Sequence, residues 1–162
     1  MKLIDTIKTR SVQHAKWRRE IHAHPELAYK EHRTADFVAK KLESFGIPIV
    51  RGLGKTGVVG TIKSGTSDRS VGLRADMDAL PLQEMNEFEH RSQHEGVMHA
   101  CGHDGHTTML LAAAEHLAQN RNFDGIVHFI FQPAKLINQF ELKGLLPSHN
   151  SSIGKQFDPI LR

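Results

Sequence analysis

The chain is short of several things that would assign it quickly. It has one cysteine in 162 residues, which excludes an internal disulfide framework and fits a reducing, cytoplasmic setting. No apolar run approaches the roughly 20 residues needed to span a membrane, and the opening "MKLIDTIKTRSVQHAKW" is interrupted by charge throughout, unlike a signal peptide. Charge of one sign is missing too. Lys and Arg total 21 against 18 Asp and Glu, and the basic residues run no longer than pairs such as Arg18-Arg19 and Lys40-Lys41. With no basic run and no interleaving of basic and aromatic residues, there is no nucleic-acid footprint. No internal repeat is visible. At 39% hydrophobic and 24% charged, the composition is that of a globular domain rather than a disordered chain. Twelve histidines are the one excess.

The coarse pattern is helix followed by strand. Apolar residues from Leu3 to Ile21 fall loosely at helical spacing, and Pro25 stops that helix. From Thr34 to Phe45 the three-and-four spacing is clearer, and Gly46 stands where a left-handed cap belongs. Short β-like runs follow in "IPIV", "TGVVGTI" and "SVGLRAD", separated by glycines. A helix is expected over Thr107–Leu117. "GIVHFIFQ", with apolar residues at consecutive positions, reads as a strand covered on both faces, as in a parallel sheet. The alternation points to an α/β layered domain over residues 1–134. After Pro133 the periodicity stops; apart from a weak helix over Leu136–Leu146, residues 135–162 read as an unrelated, frameshifted or disordered tail.

Two stretches carry chemistry. In "GLRADMDALP", Asp76 and Asp78 sit where a strand should end, and open parallel sheets bind ligands beyond the carboxyl ends of their strands. Turn capping is the bland alternative for both. In "MHACGHDGHTTML", the lone Cys101 is crowded by His99, His103, Asp104 and His106. Three readings apply: a metal site, a cysteine nucleophile, or a solvated loop without chemistry. Cys101 and His103, two apart, can converge on one ion, and thiolate, imidazole and carboxylate are the usual ligands of zinc and its first-row neighbours. Asp104 is a candidate to bridge or orient; His99 and His106 are candidates for supporting or substrate contacts. A nucleophile needs one base rather than a histidine cluster beside two carboxylates, so metal is favoured.

Those stretches, together with "WRREIHAHPELAYKEHRTADFVAKKLESFGI" and "GVVGTI", closely resemble the amidohydrolase branch of the dinuclear metallopeptidase family, from about Val12 to Ala134. That branch includes hippurate hydrolase, N-acyl-amino-acid amidohydrolases and hydrolases of auxin–amino-acid conjugates. The resemblance implies a zinc-peptidase-like α/β/α catalytic domain, here incomplete and without the family's inserted lid domain. It implies Cys101 and His103 as ligands of a divalent metal (zinc, manganese or cobalt), Asp78 as an orienting residue and Asp76 nearby. The implied reaction is amide hydrolysis of small N-acyl amino acids, with a metal-activated water as nucleophile and a glutamate moving its proton. At the two glutamate positions of the family's "HFIFQPAEE" strand, this chain has Lys135 and Leu136. A truncated, weakly active or inactive form is therefore expected, one that self-associates through exposed sheet. The rival is a non-catalytic α/β module that binds metal or a partner.

Overall fold

In the computed structural model, which describes residues 3–134, helix α2 (His32–Ser44) shows most directly how this sequence sets its structure. Thr34, Ala35, Val38, Ala39 and Leu42 are its buried residues, one stripe at helical spacing. Gly46 ends it with φ 72°, its N–H bonding the Glu43 carbonyl while Ile47 N–H reaches back to the Leu42 carbonyl. That is a Schellman cap, and it folds Ile47 onto Leu42. Both side chains then press on Gly60 of the sheet, where a β-carbon would meet Ile47 at 3.0 Å and Leu42 at 3.2 Å.

The sheet holds four strands in the order β1-β2-β4-β3: β1 (Ile49–Leu53), β2 (Gly57–Ser64), β3 (Ser70–Asp76) and β4 (Gly125–Gln132). β2 runs antiparallel to β1 and β4, and β3 parallel to β4. The sheet is mixed, which corrects the expectation of parallel surroundings for "GIVHFIFQ". Consecutive apolar residues report cover on two faces; they carry no information on the direction of the neighbours. Val127, Phe129 and Phe131 on one face of β4 join Val38, Leu42, Leu111 and Ala114 in one core. Each buried phenylalanine there contributes on the order of 2 kcal/mol. On the opposite face Ile126, Ile130 and Gln132 are only half-buried.

β3 and β4 are joined through helix α3 (His103–Gln119), the long crossover that parallel neighbours require. α3 begins four residues before the expected Thr107, because left-handed Gly102 (φ 80°) starts the helix directly after the cysteine turn. Helix α1 (Leu3–Ala23) ends before Pro25, as its sequence predicts. Its inward face differs from the apolar spacing. Trp17 and Ile21 are buried, whereas Ile7 and Val12 are 53% and 69% exposed. Four polar side chains of α1 bond α3: Arg10 and His14 meet Glu115, and Arg18 and His22 meet Asp104. A hydrophobic period cannot reveal an interface made of charges. Among the described residues no helix is long and apolar enough to cross a membrane. Lys135, Leu136, the expected Leu136–Leu146 helix and the rest of the tail lie outside the described residues.

Candidate metal centre

β3 and β4 stop at the same level, with Asp76 opposite Gln132, and the Met77 N–H extends the ladder to the Gln132 carbonyl. Asp76 is thus the last strand residue and Asp78 the second of the turn that follows. The start of α3 is fastened to this edge, its Thr107 hydroxyl donating to the Asp76 carbonyl at 3.0 Å. His103 and His106, three apart on α3, share one helical face turned toward the strand end. As a result Asp76, His103 and His106 each offer a ligand atom, all within 4.8 Å of one another.

The protonation pattern in this group suits a cation. His103 Nδ1 lies 2.8 Å from the Asp78 carbonyl and 3.0 Å from its carboxylate, both acceptors, so it carries the proton. Nε2, on the other side of the ring, faces Asp76 Oδ2 at 3.9 Å. A carboxylate holding the far side of a histidine is the usual support of a metal-ligating imidazole. Burial acts to raise the Asp76 pKa, but the His106 hydrogen bond, its own backbone amide and the charges of His103 and Arg74 outweigh it and hold the carboxyl below the usual range. The donor set of one ionised carboxylate and two imidazoles fits a divalent first-row ion.

The other residues singled out in the sequence lie around this group without joining it. Cys101 is an exposed free thiol outside it. His99 is 4% exposed and, among the described residues, neither ring nitrogen has a hydrogen-bond partner; burial pushes its pKa down to about 4, so it is neutral near pH 7. Asp104 is fully buried and turned the other way, its Oδ2 accepting from Arg18 Nε and His22 Nδ1, each at 2.9 Å. His22 Nε2 continues to Glu84 at 3.1 Å, and Glu84 also accepts from the Ser92 N–H and the Asn86 amide. The loop that leads from Asp78 to Cys101 is thereby tied to α1. Arg18, His22 and Glu84 were not singled out in the sequence. Arg18 and His22, four apart on one face of α1, were the available signal; Glu84 has none.

The mixed α/β fold is shared with solved structures of M20 peptidases. Residues 72–135 match the family described as "Peptidase family M20/M25/M40". The Bacillus subtilis YxeP protein, a dinuclear metal binding peptidase from the M20 family, superposes with a TM-score of 0.75 at 41% identity, covering 80% of this chain and 37% of that one. An aminobenzoyl-glutamate utilization protein from Klebsiella pneumoniae gives 0.65 at 25% identity, over 83% and 39%.

The amino-terminal part of the chain is homologous to amidohydrolases of this family. It is 53% identical over 135 residues to hippurate hydrolase from Campylobacter jejuni and 47% identical over 135 residues to N-acyl-L-amino acid amidohydrolase from Geobacillus stearothermophilus. Each match takes in 83% of this chain, which spans only 35% and 36% of the lengths of those relatives.

Proposed function

We propose that the chain is the cation-binding amino-terminal part of a metal-dependent hydrolase of small N-acyl amino acids. The observation that carries this reading is the Asp78–His103 pair: it fixes the proton on Nδ1 and leaves Nε2 to a ligand beside Asp76, in a chain about half identical to named amidohydrolases. Asp76, His103 and His106 would hold the ion, with Cys101 close by in sequence as a further ligand. When bound, such an ion polarises an amide carbonyl and acidifies water. Asp78 keeps the His103 ring oriented, and the first turn of α3 directs its N–H groups and positive end toward anions.

The proton-moving residue is the weak point. With Lys135 and Leu136 at the family's glutamate positions, no carboxylate stands there to take a proton from water. Loss of a general base costs about 10²–10⁴-fold, so relatives should turn over hippurate while this chain does so far more slowly. In our reading the family-like part ends at position 134, residues 135–162 are a separate tail, and a thiol-reducing compartment suits Cys101. The edge strand β3, with Val71 half-exposed, favours self-association.

Cobalt titration and hippurate hydrolysis with added manganese, cobalt or zinc test the reading together. Cobalt should bind weakly, with a thiolate charge-transfer band that disappears in Cys101→Ser, and binding should be lost in His103→Ala. Tight binding unaffected by Cys101→Ser would remove the thiol from the ligand set. Hydrolysis at the rate of the relatives would refute the argument from Lys135 and Leu136.

A further inference from the structure

Among the described residues, three that are not glycine hold left-handed backbone: Tyr29 at φ 63°, Lys55 at 82° and Ala134 at 49°. A side chain is disfavoured there, and such residues persist where their surroundings fix them. Two of them, Tyr29 and Ala134, bond Glu31 directly, and the third, Lys55, precedes Thr56, which does. The Glu31 carboxylate is completely buried. Oε1 accepts the N–H groups of Tyr29 and Ala134, each at 3.0 Å, and Oε2 accepts the hydroxyl of Thr56, next to Lys55, at 2.6 Å. One buried carboxylate thus clamps the turn before α2, the β1–β2 turn and the exit of β4.

The β4 arm of the clamp leads to the metal group. The Ala134 carbonyl accepts from Gln132 Nε2 at 2.9 Å, and Gln132 Oε1 accepts from Arg74 Nε at 2.5 Å. Arg74 Nη2 donates to Asp76 Oδ2 at 3.2 Å, and Asp76 Oδ1 faces His106 Nδ1 at 3.1 Å. Among the described residues the Thr56 hydroxyl shows no such continuation beyond the β1–β2 turn.

We infer that Glu31 is a positioning residue for the metal group, setting the direction of the Asp76 carboxylate through Ala134, Gln132 and Arg74. It touches neither cation nor substrate. That Asp76 serves a cation rests on the function proposed above; the mechanical link does not.

The two arms can be cut separately. In metal-free protein at neutral pH, the Asp76 carboxylate ¹³C resonance and the exchange of the Ala134 amide are measured for wild type and four variants. Glu31→Met, of similar volume without acceptors, should speed Ala134 exchange at least tenfold and shift the Asp76 resonance. Glu31→Gln, whose amide oxygen can still accept both N–H groups, should restore both. Gln132→Leu should shift Asp76 while leaving Tyr29 exchange alone. Thr56→Val should lower the melting temperature without moving Asp76. An unmoved Asp76 resonance in Glu31→Met or Gln132→Leu overturns the inference, and so does an equal shift in Thr56→Val, which would mean general loosening. If Glu31→Met does not fold, Gln132→Leu against Thr56→Val decides by the same criterion. A cobalt titration of the same set should show several-fold weaker binding in Gln132→Leu. Failure of the wild type to bind cobalt would refute the metal assignment and leave the resonance shifts standing.

Discussion

His103 and Asp104 are neighbours in the first turn of α3, and they face two carboxylate–histidine clusters of opposite character. Around Asp104 the hydrogen-bonding capacity is largely used: His22 gives one nitrogen to Asp104 and the other to Glu84, and Arg18 supplies a cation. Around His103 capacity is left over. Nδ1 is occupied by Asp78, Nε2 is not, and the guanidinium beside Asp76 belongs to Arg74, whose side chain is 46% exposed. Both clusters use the same residue types. What separates a structural network from a ligand site is the number of donor and acceptor atoms still available once the protein has satisfied itself. Asp104 Oδ1, buried and without a partner among the described residues, is a spare acceptor in the structural cluster.

The strongest way to break this contrast is to remove Asp104. Asp104→Ala would leave Arg18 and His22 without their shared acceptor at a fully buried position. Losing one partner of a buried charged pair costs several kcal/mol; with Arg18 half in water, about 3 kcal/mol is expected, read from the urea midpoint at constant m-value. Cobalt affinity of the folded fraction should change less than threefold. A larger loss of cobalt than of stability would mean the two clusters act as one.

Asp78→Asn probes the other side. Asparagine keeps an oxygen near His103 Nδ1 but loses the charge that favours ligation by Nε2. Replacing an outer partner of this kind costs about 10–100-fold in metal affinity, and unfolding free energy should move by less than about 1 kcal/mol. A stability loss as large as that of Asp104→Ala would make Asp78 a structural residue and dissolve the distinction.

Glu84 gives the contrast a pH dependence. Burial acts to raise its pKa, but hydrogen bonds from Asn86, the Ser92 N–H and His22 outweigh it, so the folded value lies below the ordinary one. For a carboxyl lowered on folding, the stabilisation is present above the unfolded pKa of about 4.3 and disappears as pH falls through the folded value. Glu84→Gln weakens the hydrogen bonds to His22, Asn86 and Ser92 and should lose about 1 kcal/mol at pH 7, with a flatter acid limb as pH falls below the unfolded pKa. An unchanged acid limb in the variant would show that Glu84 is not held by this network.

What could be read in advance was what the chain encodes locally. The α2 stripe, its Gly46 cap and the strand ending at Asp76 are each fixed within a few residues, and each was legible. The start of α3 was masked because Gly102, Gly105 and two histidines carry little helix propensity. The inward face of α1 was hidden for another reason: its partners, Asp104 and Glu115, lie 86 and 105 residues away from Arg18 and Arg10. The Glu31–Ala134 bond spans 103 residues, and no local pattern announces it. In the site, spacing brought Asp76, Asp78 and His103 to attention, but only the fold separates His103, with an atom to spare, from Asp104, whose charge is already matched.

The smallest expected effect lies at the outer end of the α1–α3 seam, where Arg10 pairs with Glu115. The Arg10 side chain is 44% exposed, and Glu115 also has His14 at 3.1 Å. Exposed pairs contribute about 0.2–1 kcal/mol, so Arg10→Ala should cost about 0.5 kcal/mol and less in high salt. Burial, and after it the charge of Arg10, lower the His14 pKa. Without Arg10 the imidazole should titrate at a higher pH, and once protonated it can take over the pairing with Glu115. An NMR titration of His14 reads this directly. An upward shift with a small stability loss would show a seam that rebalances its own charges. A loss comparable to that of Asp104→Ala, with His14 unmoved, would mean that the seam is a single rigid network along its whole length, and that the contrast between its buried and exposed ends is wrong.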